Sequence, residues 1–148
     1  DQVQAARQQF PDEKYLLQAH VSPRTIDGRP AWFRVLFCDG AIYPNWWDPQ
    51  THLYQPVHAE ERARFGLQPL RQMAGQIAGV CRLQLFSTEI ALTEAGQFLV
   101  VDYVNDPVDL RLQSAAADGV PDAIVENIAA RLARLAARPA SLISATLP

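Results

Sequence analysis

The stretch Phe86-Ser87-Thr88-Glu89-Ile90-Ala91-Leu92, Thr93-Glu94-Ala95-Gly96, Gln97-Phe98-Leu99-Val100-Val101-Asp102-Tyr103-Val104-Asn105 decides the fold, because it reads as two strands joined by a short turn. Each arm carries one acid, Glu89 and Asp102, and a hairpin can hold both against one cation. Register determines whether it does. A four-residue loop from Thr93 to Gly96 sets Leu92 against Gln97 and Glu89 against Val100, leaving Asp102 diagonal to Glu89 on the same face, about 7–8 Å away. A three-residue loop with Gly96 as a left-handed bulge residue slips the register by one and sends the acids to opposite faces. Both registers stay open at the level of sequence.

Two carboxylates with the amide of Asn105 form a hard oxygen set suited to Mg²⁺, which keeps waters and takes its remaining oxygens from nucleotide phosphates. Acids at a strand end that merely face water are the ordinary alternative.

The run from Phe86 to Ile90, the glycine-containing turn, and Val101-Asp102-Tyr103-Val104-Asn105-Asp106-Pro107 together resemble the metal-binding end of the ATP-grasp fold. Members of that family join a carboxylate to an amine or thiol by way of an acyl phosphate. The resemblance implies ATP and Mg²⁺ as cofactors, with Glu89 as first acid, Asp102 as second and Asn105 as the amide ligand. It also implies a small-molecule or peptide-like carboxylate substrate. Where the family commonly has Glu-x-Asn, this chain has Asp102-Tyr103-Val104-Asn105, so a bulge or strand end has to turn Asn105 back to the face of Asp102.

Upstream, Tyr15-Leu16-Leu17-Gln18-Ala19-His20-Val21 resembles the family's hinge strand, whose main chain reads the adenine edge. That likeness makes Gln18, Ala19, His20 and Val21 the nucleotide-binding candidates, against the alternative of an ordinary half-buried strand. Arg34 interrupts the apolar run Ala31-Trp32-Phe33-Arg34-Val35-Leu36-Phe37-Cys38. In the similar segment of the family an Arg reaches the nucleotide phosphates or the acyl phosphate, a task for which a guanidinium fork is suited. Trp32 stands where some members carry an acid near the ribose. Arg111, in the polar run after Asn105, is a candidate for holding a substrate carboxylate or the γ-phosphate. A surface ion pair with Asp106 or Asp109 competes with that role.

Asp39-Gly40 marks a tight hairpin turn between Cys38 and Ala41, and Asp27-Gly28-Arg29-Pro30 marks another turn. The cluster Trp46, Trp47 and Tyr54 reads as core filling, as a pocket lining or as a partner surface. His52 reads as a surface residue, since spacing ties no acid or nucleophile to it. Leu70, Met73, Ile77 and Val80 recur at helical spacing after Pro69. Pro121 at an N1-like position, then Ile124, Ile128, Leu132 and Leu135, predict a helix from about Asp122 to Ala137, closed by Pro139, with Arg131, Arg134 and Arg138 near its C-terminus. Residues 139–148 read as a loose tail. The order of elements predicts an α+β fold, a mainly antiparallel sheet with helices on one face, like the C-terminal subdomain of the ATP-grasp fold.

With 148 residues, 49% of them apolar, the chain suffices for one domain with a real core. A formal charge of −3 argues against a general nucleic-acid binder. No stretch approaches the length of a membrane span, and a cytoplasmic protein is expected. Cys38 and Cys81 read as small buried hydrophobes rather than a disulfide framework. The only lysine is Lys14, and no glycine-rich phosphate loop is seen. The resemblance covers about residues 15–136, the second half of the family's nucleotide cleft, preceded by a helical lead-in over residues 1–14. The chain is therefore expected to be inactive alone and to need the missing N-terminal half of the fold as a partner, with self-association through exposed apolar surface as a further expectation. A noncatalytic interaction module using Trp46, Trp47 and Tyr54, and a metal-dependent hydrolase using the same acids, are the competing functions.

Overall fold

A computed structural model describes residues 2–15 and 17–138. Four helices are present among them: α1 (Gln2–Gln9), α2 (Ala59–Arg64), α3 (Gln68–Cys81) and α4 (Asp122–Ala136). The strands are β1 (Thr25–Ile26), β2 (Arg29–Pro30), β3 (Trp32–Cys38), β4 (Ala41–Trp47), β5 (Tyr54–Pro56), β6 (Leu85–Leu92) and β7 (Phe98–Asn105). The last five form one antiparallel sheet in the order β5-β4-β3-β6-β7, and β1-β2 form a separate ribbon. The fold is α+β.

Helices cover both faces of this sheet rather than one. The reason lies in β3, where Val35, Leu36, Phe37 and Cys38 are all buried although successive side chains point to opposite faces. Phe33 and Val35 pack with Leu70 and Ala74 of α3, together with Trp46, Ile90 and Leu92. Leu36 and Cys38 on the reverse face need a second cover, supplied by Val120 and by Ile124 and Ile128 of α4. A strand apolar on both sides cannot be satisfied by a single helical layer.

Both short turns follow from their sequences. Cys38 pairs with Ala41 across Asp39 (φ 43°) and Gly40 (φ 81°), the doubly left-handed geometry that matches the twist of a hairpin. Ile26 pairs with Arg29 across Asp27 and Gly28 in the same way. Arg131 then donates to the Asp39 carbonyl at 3.1 Å and Arg138 to its carboxylate at 3.1 Å, tying the end of α4 to the β3-β4 turn.

Helix details depart from the expected pattern in two places, although α4 covers the expected residues. Val80 is 83% exposed, because it lies about 120° around α3 from Ala74, outside the arc that faces the sheet. Pro121 caps α4 from outside rather than occupying its first turn, and α4 ends at Ala136. The short α2 carries its own capping box, with Glu61 accepting from the His58 amide at 3.0 Å.

The expected hinge strand is not a strand. Residues 17–22 have no ladder partner, and regular pairing begins only where Pro23 bridges Thr93 and the Arg24 amide donates to the Leu92 carbonyl at 2.8 Å. An extended segment becomes a strand only beside another, and here the Gln18 side chain, not the backbone, reaches the Val101 carbonyl at 3.0 Å. The helical lead-in is α1, which has no buried residue and is tied to the following segment by the Tyr15 hydroxyl, donating to the Ala6 and Phe10 carbonyls. Leu16, Pro139 and the tail assigned to 139–148 lie outside the described residues. Among the described residues, no helix is long and apolar enough to cross a membrane.

Candidate functional site

Beside the turn, the β6-β7 register is the one expected for a three-residue loop with a left-handed Gly96, slipped by one residue from Leu92 against Gln97. Leu92 pairs with Phe98, and inside that pair the Thr93 amide bonds the Gln97 carbonyl at 2.9 Å, closing the three-residue loop Glu94-Ala95-Gly96. Gly96 is left-handed (φ 77°). Irregularities then shift the ladder twice, between Ile90 and Glu89 and between Glu89 and Ser87. Each inserts an extra residue on β7, so Glu89 comes to face Asp102, and Ser87 comes to face Asn105. The two shifts thus override the opposite-face outcome that a regular three-residue register carries, and make Glu89 and Asp102 direct ladder partners.

The bulge also performs the turn that Asn105 needs. Its Nδ2 donates to Asp102 Oδ2 at 3.1 Å, which fixes the amide beside the carboxylate and leaves its oxygen as an acceptor. The Thr88 hydroxyl donates to the Asp102 carbonyl at 2.8 Å, pinning the irregular stretch of β7.

Arg34 faces Glu89 across the β3-β6 ladder. Its Nη1 lies 3.0 Å from Glu89 Oε1, with the side chains only 16% and 13% exposed. Trp32, two residues earlier on the same face, donates from Nε1 to Glu89 Oε2 at 3.2 Å. Each Glu89 oxygen thus accepts one hydrogen bond and keeps a lone pair. Arg34 Nε also reaches the Ser87 hydroxyl at 3.3 Å, and its guanidinium carbon stands 5.1 Å from the centre of the Trp47 ring. Two carboxylates and an amide oxygen are a donor set that fits Mg²⁺. Among the described residues there is no group of three or more His, Cys, Asp or Glu side chains placed to hold a metal.

Beside Arg34, on the same face, opens a cleft of about 180 Å³ lined by Trp47, His52, Tyr54, Ser87, Asp109, Arg111 and Asp118, with Val108 at its side. Trp47 pairs with Tyr54 across β4-β5, and the His52 ring lies parallel to Trp47 at 5.4 Å. His52 is exposed, as expected, yet its left-handed backbone (φ 60°), held by its amide on the Asp48 carbonyl at 2.7 Å, brings it to the cleft. Burial pushes the Tyr54 hydroxyl up from its ordinary pKa, against the pull of Arg34.

Arg111 is engaged by two acids, Asp109 as expected and Asp118 in place of Asp106. Its Nε donates to Asp109 at 2.8 Å, and its Nη1 and Nη2 grip Asp118 at 3.2 and 2.8 Å. These hydrogen bonds hold both carboxyl groups below the usual Asp range and raise the guanidinium. Asp118 was missed because it lies seven residues from Arg111. The loop that returns it turns at Gly119, and the Val120 amide bonds the Arg111 carbonyl at 2.8 Å.

The structure therefore brings together Arg34, Glu89, Asp102 and Asn105, with Arg111 at the adjoining cleft. Of the hinge candidates, Gln18 meets the outer edge of β7 through its side chain; Ala19 and His20 are exposed and Val21 is half-buried. Trp46 fills the core, and Trp47 is 9% exposed, so neither indole offers a broad partner surface. Cys38 is buried, and burial followed by the Asp39 charge pushes its thiol up, away from nucleophilic use. Compared with protein-family models and with curated proteins, the sequence has no match.

Proposed function

We propose that this chain is the nucleotide- and Mg²⁺-binding half of an ATP-dependent carboxylate ligase of the ATP-grasp type. The observation that carries the reading is the direct opposition of Glu89 and Asp102 on one face, with Asn105 turned back beside Asp102 and Arg34 seated on Glu89. Glu89, Asp102 and Asn105 would hold the ion. Bound there, Mg²⁺ would neutralise charge on the nucleotide phosphates.

Arg34 has a different task. Its fork is fixed by Glu89 and Ser87 and packed against Trp47, so it offers a preorganised cation to the phosphoryl group in transit. In the reaction, a substrate carboxylate oxygen bonds to the γ-phosphorus as the bond to ADP breaks. An amine then bonds to the acyl carbon, phosphate departs with the C–O electron pair, and the nitrogen loses a proton. Lys14 is the only lysine, so the phosphates need further cations from a complementary half of the fold.

Calorimetric titration of Mg²⁺ in the presence of a non-hydrolysable ATP analogue tests this, on the chain alone and joined to its complementary half. Nucleotide-dependent Mg²⁺ binding is expected, and is lost in Glu89→Gln and in Asp102→Asn. Equal binding in the parent and both variants would refute the ligase reading, and Mg²⁺ binding indifferent to nucleotide would favour a hydrolase.

A further inference from the structure

The cleft next to Arg34 has contents that phosphate handling does not require. Three rings, those of Trp47, His52 and Tyr54, line a space of about 180 Å³. An apolar cavity of about 150 Å³ is enough for one benzene ring, so the space matches one flat ring and little more. Charge around the cleft is also uneven once Glu89, which lies outside the lining and is paired to Arg34, is counted: two arginines stand against three acids. Arg34 is answered by Glu89, whereas Arg111 is the single cation shared by Asp109 and Asp118. One negative charge is left over at that end, since both acids, like any ordinary aspartate, are ionised at neutral pH.

We infer that this cleft seats a small amine carrying a single aromatic ring, the ring among Trp47, His52 and Tyr54 and the ammonium at the Asp109-Asp118 end. Aromatic surfaces and an excess carboxylate both favour a cationic ring compound over an anionic one. As to role, the inference rests on the ligase reading: the compound is then the nucleophile, held within one small cleft of Arg34 and so of the acyl phosphate. Binding itself requires neither nucleotide nor metal.

The full chain is titrated by calorimetry with phenethylamine, phenylalanine, propylamine and 3-phenylpropionate. Phenethylamine and phenylalanine are expected to bind, and the ringless amine and the ring-bearing acid to bind at least tenfold more weakly. A tighter phenylalanine would identify an amino acid as the source of the ring amine, and a tighter phenethylamine a simple arylalkylamine. His52→Asn, which keeps the left-handed backbone accessible, and Tyr54→Leu should each weaken phenethylamine three- to tenfold. Asp118→Asn should weaken phenethylamine but leave benzyl alcohol unchanged. Propylamine binding as tightly as phenethylamine, phenylpropionate binding more tightly, or indifference to all three substitutions would overturn the inference. Asp102 does not line the cleft, so Asp102→Asn separates the two readings. Ring-amine binding that persists while Mg²⁺-nucleotide binding is absent even in the parent sinks only the ligase assignment, and the reverse result sinks only this one.

Discussion

Replacing Arg34 with methionine leaves Glu89 facing a half-buried strand surface without its counter-ion. The pair is 3.0 Å long and its side chains are 16% and 13% exposed, so it is far closer to the buried than to the surface class. Breaking a fully buried pair from one side costs about 3–5 kcal/mol. Residual exposure and the retained Trp32 hydrogen bond reduce this, and we expect a loss of about 2–3 kcal/mol. Removing both charges in Arg34→Met/Glu89→Leu leaves no orphaned ion and should cost about 1 kcal/mol or less. Urea unfolding followed by circular dichroism, with constant m-values, measures the cycle. The expected coupling is about 2 kcal/mol, and single-variant losses that add to within about 0.5 kcal/mol would refute the argument that these groups form one unit.

Gly119→Ala would place a Cβ 2.6 Å from the Arg111 carbonyl oxygen and 2.7 Å from the Leu112 carbonyl carbon and oxygen, all backbone atoms. We expect a loss of about 1–3 kcal/mol in thermal or urea unfolding and a loosened Asp118. Trp32→Phe removes one donor from Glu89 Oε2 and should cost about 0.5–1.5 kcal/mol while weakening nucleotide-dependent Mg²⁺ binding, read by calorimetry. Because Asp109 and Asp118 have native pKa values below the unfolded value of about 3.9, the Arg111 clamp is intact above that pH. It is lost as pH falls through the lowered native values. NMR of the two carboxyl groups should show midpoints below the unfolded value that return toward it in Arg111→Met.

Local chemistry was the legible part of this chain. Asp39-Gly40 and Asp27-Gly28 each permit two successive left-handed residues, so their turns follow from dipeptides alone. Ile124 and Ile128 mark α4 because helical periodicity needs no knowledge of the partner surface. Placement was less legible. That α4 would cover the face opposite α3 depended on Leu36 and Cys38 both being buried, and an unbroken apolar strand does not say which helix lies where. Residues 17–22 look strand-like in composition, yet a strand exists only by pairing.

The candidate site shows the same division. Glu89, Asp102, Asn105 and Arg34 were identifiable as residue types in a pattern, whereas their meeting depends on two bulges in β7 that leave no distinctive residue behind. Counting from the three-residue turn with Gly96 left-handed gives the right register from Leu92 to Ile90, but a regular ladder carried on from there assigns Glu89 the wrong partner. The cleft was less visible still, because Tyr54, Ser87, Asp109 and Asp118 come from three separate segments and meet only through the sheet and the 106–120 loop.

The central claim is that one ion sits between Glu89 and Asp102, and Mn²⁺ substituted for Mg²⁺ tests it most directly. With the ATP analogue present, paramagnetic broadening of amide resonances should centre on residues 87–90 and 101–105, including the Asn105 side chain. It should vanish in Glu89→Gln and in Asp102→Asn alike. Broadening centred instead on Asp109 and Asp118, or unchanged in either variant, would contradict the account.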